Sequence, residues 1–345
     1  MKKQIKSLFL CTTLLLSSGC QPSSSPQHTS TVIFALDTVI TTDLYGKEVQ
    51  TVAELLEKNV HNMEEDLSRT LPDSRVYALN HGQSQKDPEI LSLVQQAEKY
   101  SQMTSGAFDI TIAPVADLWG FTKEEFRIPE DQEISQALSH VGMDHIHLDS
   151  DTVTLDPGTE IDLGGIAKGL AVEQAYALFS DHGITNGIAN FGGDAAVYGS
   201  KPDGKPWRIG IQNPDDPSDT SHSAAIVSLK DAYILTSGNY QRYFIEDGIR
   251  YHHIIDPFTG APARNDLMSV TIIADAAEGN GILCDALSTG LFVMGKEKAV
   301  SLWQNNRDAF QMILITSDHQ LFYTEGLKDC ILFPEQSGYE NRMIR

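Results

Sequence analysis

The sequence predicts an α+β fold, and two features agree with that class. Segments of helical periodicity flank a centre that is rich in short strands and glycine turns. Within residues 160–179, a short alternating segment that looks like the end of a strand, the pair Gly164-Gly165 and a helical pattern follow one another. Backbone N–H groups at such a helix start can bind phosphate oxygens, because glycine lets the main chain approach closely. An ordinary tight turn with solvated charges explains the same stretch equally well.

The first 31 residues predict export and a membrane anchor. Three lysines precede an apolar run at 8–16, which is too short to span a bilayer comfortably. The run ends in Ser-Ser-Gly-Cys, which resembles a bacterial lipobox with Cys20 as the lipidated residue; an ordinary cleaved signal peptide is the alternative. We therefore predict a lipoprotein signal peptide (1–20), a flexible Ser/Pro-rich tether (21–31) and one domain (32–345) on the extracytoplasmic face of a bacterial membrane.

The charge and the cysteines narrow the possible partners and cross-links. A formal net charge of -22 argues against nucleic acid as a partner and suits an exported protein. Beyond the signal segment only Cys284 and Cys330 remain. They can pair in an oxidising compartment, but Cys284 lies in an apolar run and is first interpreted as a buried thiol.

The first half of the chain alternates between hairpins and amphipathic helices. The pattern predicts a hairpin at 32–45, helices at 49–67, 88–103 and 133–141, and a second hairpin formed by 145–149 and 152–156. His145 and His147 point to one face of that hairpin. We interpret them as exposed polar positions of a strand in preference to a metal pair.

The second half is mostly strands. They are predicted at 187–200, 207–214, 224–242 and 269–275, with a hairpin around Asp247-Gly248 and a closing hairpin at 312–326. A mostly apolar helix is predicted at 281–295, after which only the closing hairpin follows.

Three pairs of residues suggest chemistry. Phe108 beside Asp109 can hold a flat heterocycle, or the pair is a buried connector with a capping carboxylate. His253 and Asp256 can serve acid–base chemistry, or they stiffen a turn. Asp285 and Thr289 share one face of an apolar helix. Because an unpaired buried carboxylate is costly, we favour a divalent cation there over a pairing with a strand or an arginine.

Six motifs in order resemble the ApbE family of flavin transferases. They are SGAFDITIAPV (105–115), DLGGIAKG (162–169), NFGGD (190–194), TSGNYQR (236–242), HIIDPFTGAP (253–262) and DALSTGLFVMG (285–295). The resemblance runs from about residue 32 to 326. It implies a mixed single domain of two lobes with the flavin between them, and Mg2+-dependent transfer of FMN from FAD to a threonine or serine of a target protein, with release of AMP.

The resemblance also implies roles for individual residues. The metal ligands would be Asp285, Thr289 and the Gly165 carbonyl, with Ser288 approaching through water. His253 would be the base for the target hydroxyl, and Asp256 would fix the turn and orient that histidine. The flavin contacts carried over by position are Leu36, Thr70, Ala107, Phe108, Asp109, Asp162, Lys168 and Ile255.

Three of these positions depart from the family pattern. Leu36 stands where methionine is frequent, Thr70 where tyrosine is frequent, and Asp37 where glycine is usual. The partners implied are FAD, a membrane reached through the lipid anchor, and acceptor flavoproteins, either subunits of membrane redox complexes or other exported proteins. Two other functions use the same motifs: an Mg2+-dependent FAD pyrophosphatase, and a flavin-binding lipoprotein without turnover.

Overall fold

A computed structural model describes residues 26–123, 125–219 and 221–345. The predicted signal peptide and Cys20 lie outside the described residues. The helices are α1 Val49–Leu67, α2 Arg75–Asn80, α3 Pro88–Met103, α4 Ala113–Leu118, α5 Asp131–Leu138, α6 Gly164–Asp181, α7 Asn280–Met294 and α8 Lys296–Gln304. The strands are β1 Gln27–Ala35, β2 Thr38–Gly46, β3 Ile146–Asp149, β4 Thr152–Leu155, β5 Ile184–Phe191, β6 Asp194–Tyr198, β7 Trp207–Gln212, β8 Ser223–Leu229, β9 Ala232–Gly238, β10 Tyr243–Glu246, β11 Ile249–His252, β12 Ile255–Asp256, β13 Ala261–Pro262, β14 Leu267–Asp275, β15 Gln311–Thr316, β16 Gln320–Thr324, β17 Ile331–Leu332 and β18 Glu340–Ile344.

A nine-stranded sheet organises the molecule, in the order β1-β2-β5-β6-β9-β14-β15-β16-β18. Helices α1, α3, α6 and α7 cover one face, and the three-stranded sheet β17-β8-β7 covers part of the other. Strand β9 shows why its sequence lacks polar alternation: Tyr233 and Leu235 face the helices, whereas Ile234 faces the small sheet. The α+β class is thereby confirmed. The division into two lobes with a flavin between them stays a prediction.

Local patterns located most elements correctly. The helix predicted at 49–67 is α1, whose apolar stripe of Val52, Leu56, Val60 and Met63 is buried. The helix predicted at 88–103 is α3; Asp87 caps it by accepting from the backbone N–H of Glu89 (2.9 Å), and Pro88 occupies its first turn. These helices form where the sequence predicts them because apolar periodicity, the N-terminal cap and a proline in the first turn indicate the same boundaries.

Four expectations need correction. The tether predicted for 21–31 ends earlier, because β1 begins at Gln27 and pairs with β2 along its whole length. Residues 160–163 form no strand; Asn80 holds Ile161 through hydrogen bonds of 2.8 and 2.9 Å. The glycine pair does not precede the helix but forms the first turn of α6. The hairpin at 312–326 does not close the chain, since β18 follows and pairs in parallel with β16.

A backbone contact between α6 and α7 sets the spacing of these two helices. A Cβ added at Gly169 would lie 2.5 Å from the Gly281 carbonyl oxygen, and one added at Gly281 would lie 2.5 Å from the Gly169 carbonyl oxygen. Only glycine allows this approach. The contact places the N-terminal half of α6 beside Asp285 on α7.

The structure also shows whether the two remaining cysteines pair and whether a helix could cross a membrane. Cys284 is a fully buried core thiol and Cys330 is half-buried; both are free, so no disulfide joins them. Within the ranges that the structure describes, no helix combines the length and apolarity that a membrane crossing requires.

One buried histidine predicts how stability depends on pH. His252 is 5% exposed; its Nε2–H donates to the Ala263 carbonyl at 2.9 Å, and burial lowers its pKa to about 4. Its unfolded pKa is about 6.5, so below that pH the unfolded state takes up the proton first. We expect this group to cost about 3 kcal/mol of stability between pH 6.5 and 4, with no effect above.

The measurement is thermal unfolding from pH 8 to pH 4 for the wild type and for His252→Gln. The wild type should lose more stability than the variant as pH falls, because glutamine does not titrate. Parallel curves would show that protonation of His252 does not contribute.

Candidate active site

The site is built around Asp285, a carboxylate on an otherwise apolar stretch of α7. Its side chain is 4% exposed, and its Oδ2 accepts a hydrogen bond from the backbone N–H of Gly169 at 2.8 Å. Burial raises its pKa to about 7, against the opposing charge of Lys168. The protein therefore offsets only part of the cost of burying this negative charge. A bound cation would offset the rest.

Three hydroxyl groups lie one turn further along α7 and on β9. Ser237 Oγ is 2.8 Å from Ser288 Oγ and 3.1 Å from Thr289 Oγ1. Ser288 also donates to the Asp285 carbonyl at 2.8 Å. The side chain of Ser288 is therefore engaged by the protein on both sides, which agrees with an indirect approach to any metal.

Gly165, in the first turn of α6, lies close to these hydroxyls. A Cβ at Gly165 would lie 4.0 Å from Thr289 Oγ1 and 3.0 Å from the ring of Phe108. The structure thus brings the two separate motifs that carry Gly165, Asp285 and Thr289 to one place, as predicted.

These groups fit a hard divalent cation. The donors are a carboxylate, hydroxyls and a main-chain carbonyl, all oxygen, which is the set that Mg2+ prefers. Among the residues that the structure describes, no group of three or more His, Cys, Asp or Glu side chains is arranged to hold a metal. A cation at Asp285 would therefore have a single carboxylate from the chain, and its other ligands would be the hydroxyls, the main-chain carbonyl and the ligand's own oxygens. His145 and His147 instead both contact Asp156, at 3.0 and 2.7 Å.

A partly buried ion pair lies beside Asp285. Lys168 on α6 pairs with Asp194, a 2% exposed carboxylate on β6, whose Oδ1 accepts from the backbone N–H of Thr236 at 2.7 Å. Burial lowers the pKa of Lys168, but the charges of Asp194 and Asp285 outweigh that effect and hold the pKa above its usual value. Lys168 is thus a fixed cation, available to a phosphate.

His253 is held in one tautomer. Its backbone N–H and its Nδ1 both contact the Arg242 carbonyl, at 3.1 and 3.2 Å. A carbonyl only accepts, so Nδ1 carries the proton and Nε2 has a free lone pair. Burial lowers the pKa to about 3, and the nearby charges of Arg242 and Lys168 lower it too. The imidazole is therefore neutral at physiological pH, which a proton acceptor requires, but a pKa this low also makes it a weak base.

Asp256 does not orient this histidine. Its Oδ1 accepts from the backbone N–H of Phe258 at 2.9 Å, and its carbonyl accepts from Gly260 at 2.8 Å. The described residues contain no hydrogen bond between Asp256 and His253. The orienting role predicted for Asp256 is therefore wrong, because the Arg242 carbonyl performs it; the prediction that Asp256 fixes the turn is supported.

The predicted flavin contacts at 107–109 have structural functions of their own. Ala107 and Phe108 are buried, and Phe108 packs between Gly165 and Gly290. Asp109 accepts from the backbone N–H of Thr111 at 2.8 Å and so caps a short helical turn. Burial raises the pKa of Asp109 above its usual value. The ring of Phe108 packs against Gly165, and flavin contact by these residues stays a prediction.

The hairpin turn at Leu36 and Asp37 explains one departure from the family pattern. Both residues have φ near +53°, the left-handed region in which glycine is favoured. The backbone N–H of Leu36 donates to Glu64 Oε1 at 2.9 Å, which helps to hold this conformation. Asp37 therefore preserves the turn that glycine would provide, since aspartate tolerates this region better than most residues.

Thr70 follows Arg69 in the chain, and the Arg69 side chain forms an ion pair with Asp162. Thr70 is exposed and contacts Ser68 at 3.1 Å, whereas Arg69 is buried and lies 3.3 Å from Asp162 Oδ2. Asp162 also accepts from the backbone N–H of Gly164 at 2.7 Å at the start of α6. Ile255 lies apart from them in a small apolar cluster with Trp119.

Sequence reasoning missed four residues that the structure places in or beside the site: Arg69, Asp194, Ser237 and Arg242. The last three lie within the motifs NFGGD and TSGNYQR. Their place in these motifs was the signal that could have identified them as site residues. Arg69 lies outside every motif, and no local pattern distinguishes it.

Comparisons with known proteins agree with the motifs. Residues 36–314 match the profile of the ApbE family. The chain is 31% identical over 314 residues to an FAD:protein FMN transferase of Vibrio cholerae, covering 88% of this chain and 92% of that protein. It is 30% identical over 330 residues to an FAD:protein FMN transferase of Escherichia coli, covering 89% and 91%.

Two solved structures share the fold over most of the chain. An ApbE protein from Thermotoga maritima superimposes with a TM-score of 0.79 at 34% identity, covering 88% of this chain and 99% of that one. The flavin transferase ApbE from Vibrio cholerae superimposes with a TM-score of 0.77 at 27% identity, covering 88% and 99%.

Proposed function

The chain belongs to the ApbE family, and on that premise we propose that it is an FAD:protein FMN transferase that uses Mg2+. The observation that carries this proposal is the buried carboxylate of Asp285 beside the cation of Lys168, with hydroxyls of α7 and β9 next to them. Phosphoryl transfer needs charge neutralisation and positioning more than covalent chemistry, and this arrangement supplies both.

The reaction exchanges the phosphoanhydride bond between the two phosphates of FAD for a phosphoester bond to the acceptor. The hydroxyl oxygen of the acceptor threonine or serine attacks the phosphorus of the FMN half of FAD, and the bond to the AMP phosphate breaks. AMP leaves with the electron pair, and the hydroxyl proton passes to Nε2 of His253. The Arg242 carbonyl keeps Nε2 unprotonated and fixes the direction of the ring.

Two cations of the chain would contact the phosphates of FAD. Lys168 is held by Asp194, and Arg242 lies close enough for its charge to lower the pKa of His253. They stabilise the negative charge that develops on the phosphate oxygens. Asp285, Thr289 and the Gly165 carbonyl would hold Mg2+, which when bound neutralises the pyrophosphate and the departing AMP.

The N-terminal sequence is the basis for the proposed location, and the family is the basis for the proposed partners. We propose that Cys20 carries the lipid and that the enzyme works on the extracytoplasmic face of a bacterial membrane. Its acceptors would be flavin-carrying subunits of membrane redox complexes or other exported flavoproteins. The net charge of -22 argues against nucleic acid as a partner.

The direct test is mass spectrometry of a candidate acceptor domain incubated with this protein, FAD and Mg2+. The proposal predicts a mass gain equal to one FMN, which is lost when the metal is chelated. Free FMN and AMP without a modified acceptor would instead indicate a pyrophosphatase. Tight FAD binding without either product, across several exported flavoproteins, would indicate a flavin-binding lipoprotein.

Replacing His253 with alanine should slow transfer by roughly 100-fold to 10,000-fold, because the general base is lost, while FAD binding survives. Single-turnover kinetics measure the first effect and a flavin fluorescence titration the second. Loss of FAD binding in this variant would show that His253 contacts FAD, and it would contradict the assignment of His253 as the base.

A further inference from the structure

The hairpin β10–β11 ends next to the proposed base, His253. Within the described residues, the outer edge of β10 pairs with no other strand. It forms a two-stranded sheet of its own, with Tyr243 opposite His252 and Glu246 opposite Ile249. His253 follows directly and is bonded to Arg242, the residue before β10. The imidazole therefore leans across toward the β10 side of the hairpin.

The inner face of the hairpin is anchored. Phe244 stacks on Tyr251 and on Phe126, with ring centroids 5.1 and 5.3 Å apart, and Tyr251 stacks on Trp119 at 5.5 Å. These aromatic contacts fix the hairpin to the small apolar cluster of α4 and α5. The strand edge next to His253 is therefore presented on a rigid support.

The ladder pattern shows which backbone groups are free. The backbone bond from His253 to Arg242, and the two-residue turn that joins Glu246 to Ile249, make 242/253 and 246/249 the hydrogen-bonded pairs. Pairs alternate in an antiparallel ladder, so the N–H and C=O groups of Tyr243 and Ile245 point away from β11. In the part of the chain that the structure describes, no strand pairs with that edge.

The side chains along this edge are apolar and exposed. Ile245 is 61% exposed and Tyr243 is 37% exposed, and the Arg250 guanidinium lies 4.5 Å from the centre of the Tyr243 ring. Arg250 forms no ion pair within the described residues. A flat apolar strand edge is a template for pairing with another chain, and native proteins normally protect such edges. In this very acidic molecule, Arg250 adds a positive charge for an acidic side chain to complement.

We propose that the acceptor protein docks here, its target segment adding as a third strand to the free edge of β10. This inference rests on the proposed function, because an acceptor hydroxyl must reach Nε2 of His253. A strand added at about 4.8 Å from β10 would run past Arg242 on the side to which the imidazole leans. The acceptor segment is therefore extended, carries apolar side chains around its threonine or serine, and has an acidic residue to face Arg250.

The test uses the source bacterium with this gene deleted and restored as the full chain. Covalently bound flavin in exported proteins is measured by in-gel fluorescence at early times after induction, when labelling reports the rate. Ile245→Pro removes one outward N–H and should lower labelling about tenfold or more, whereas Ile245→Val keeps the N–H and should stay within about twofold of wild type. Purified Ile245→Pro should bind FAD like the wild type.

Each outcome decides the proposal. Wild-type labelling by Ile245→Pro, or an equal loss in Ile245→Val, would overturn strand pairing at this edge. If Ile245→Pro no longer binds FAD, Ile245→Lys decides, because it keeps the backbone but charges the edge; wild-type labelling by that variant would overturn the proposal. If the wild-type gene restores no covalent flavin, it is the proposed function itself that fails, and the docking surface with it.

Discussion

Replacing Asp285 with asparagine is expected to lower FMN transfer about a thousandfold or more, a loss of about 4 kcal/mol of transition-state stabilisation. Asparagine has nearly the same shape and its oxygen can still accept from Gly169 N–H, so the packing of α6 against α7 should persist. The negative charge alone is removed. The protein should remain folded and at least as stable without metal, because burial of the carboxylate already disfavours its charged form.

Three measurements check this prediction: single-turnover transfer rates, thermal unfolding and calorimetric titration with Mg2+. The matched control is Cys284→Ala, a change in a fully buried neighbour on the same helix that carries no charge at pH 7. It should cost some stability but leave the transfer rate near that of the wild type. Transfer at the wild-type rate by Asp285→Asn in Mg2+ would remove Asp285 from the metal site.

Replacing Gly169 with alanine should damage both stability and catalysis, although alanine is the better helix former. Its Cβ would lie 2.5 Å from the Gly281 carbonyl oxygen and 2.7 Å from the Ile282 Cα, which are backbone atoms that cannot rotate away. The helices must separate, and overpacking of this kind costs about 1–3 kcal/mol. The shift would move Asp285 from its Gly169 N–H, and a displacement of about 1 Å can cost about 100-fold in rate.

The control for this change is Gly187→Ala, in strand β5, which pairs with β2 and β6. There the added Cβ would first meet the end of the Leu44 side chain at 3.0 Å, which can rearrange more easily than backbone. Chemical denaturation and transfer rates of both variants give the comparison. If Gly169→Ala matched Gly187→Ala in both, the backbone contact between α6 and α7 would not be what positions Asp285.

Local sequence was enough for the elements whose signals agree. The stripe of α1, the cap and proline of α3, and the Asp247-Gly248 turn each act within a few residues, and each formed as predicted. The ordered motifs were enough for the family, because six matches in sequence are far more specific than any one of them. Where a single weak signal was used alone, as for a strand at 160–163, the prediction failed.

Only the tertiary structure showed which residues meet. Asp194 and Thr236 touch because β6 and β9 are neighbours in the sheet, and Lys168 and Asp285 approach because two glycines let α6 and α7 come together. For the same reason, the sequence did not show that His253 bonds to the Arg242 carbonyl and not to Asp256. Residue type and spacing determine local conformation and the available chemistry. Contacts between residues tens of positions apart depend on strand order and helix crossing, which are set by packing of the whole core and not by any short stretch of sequence.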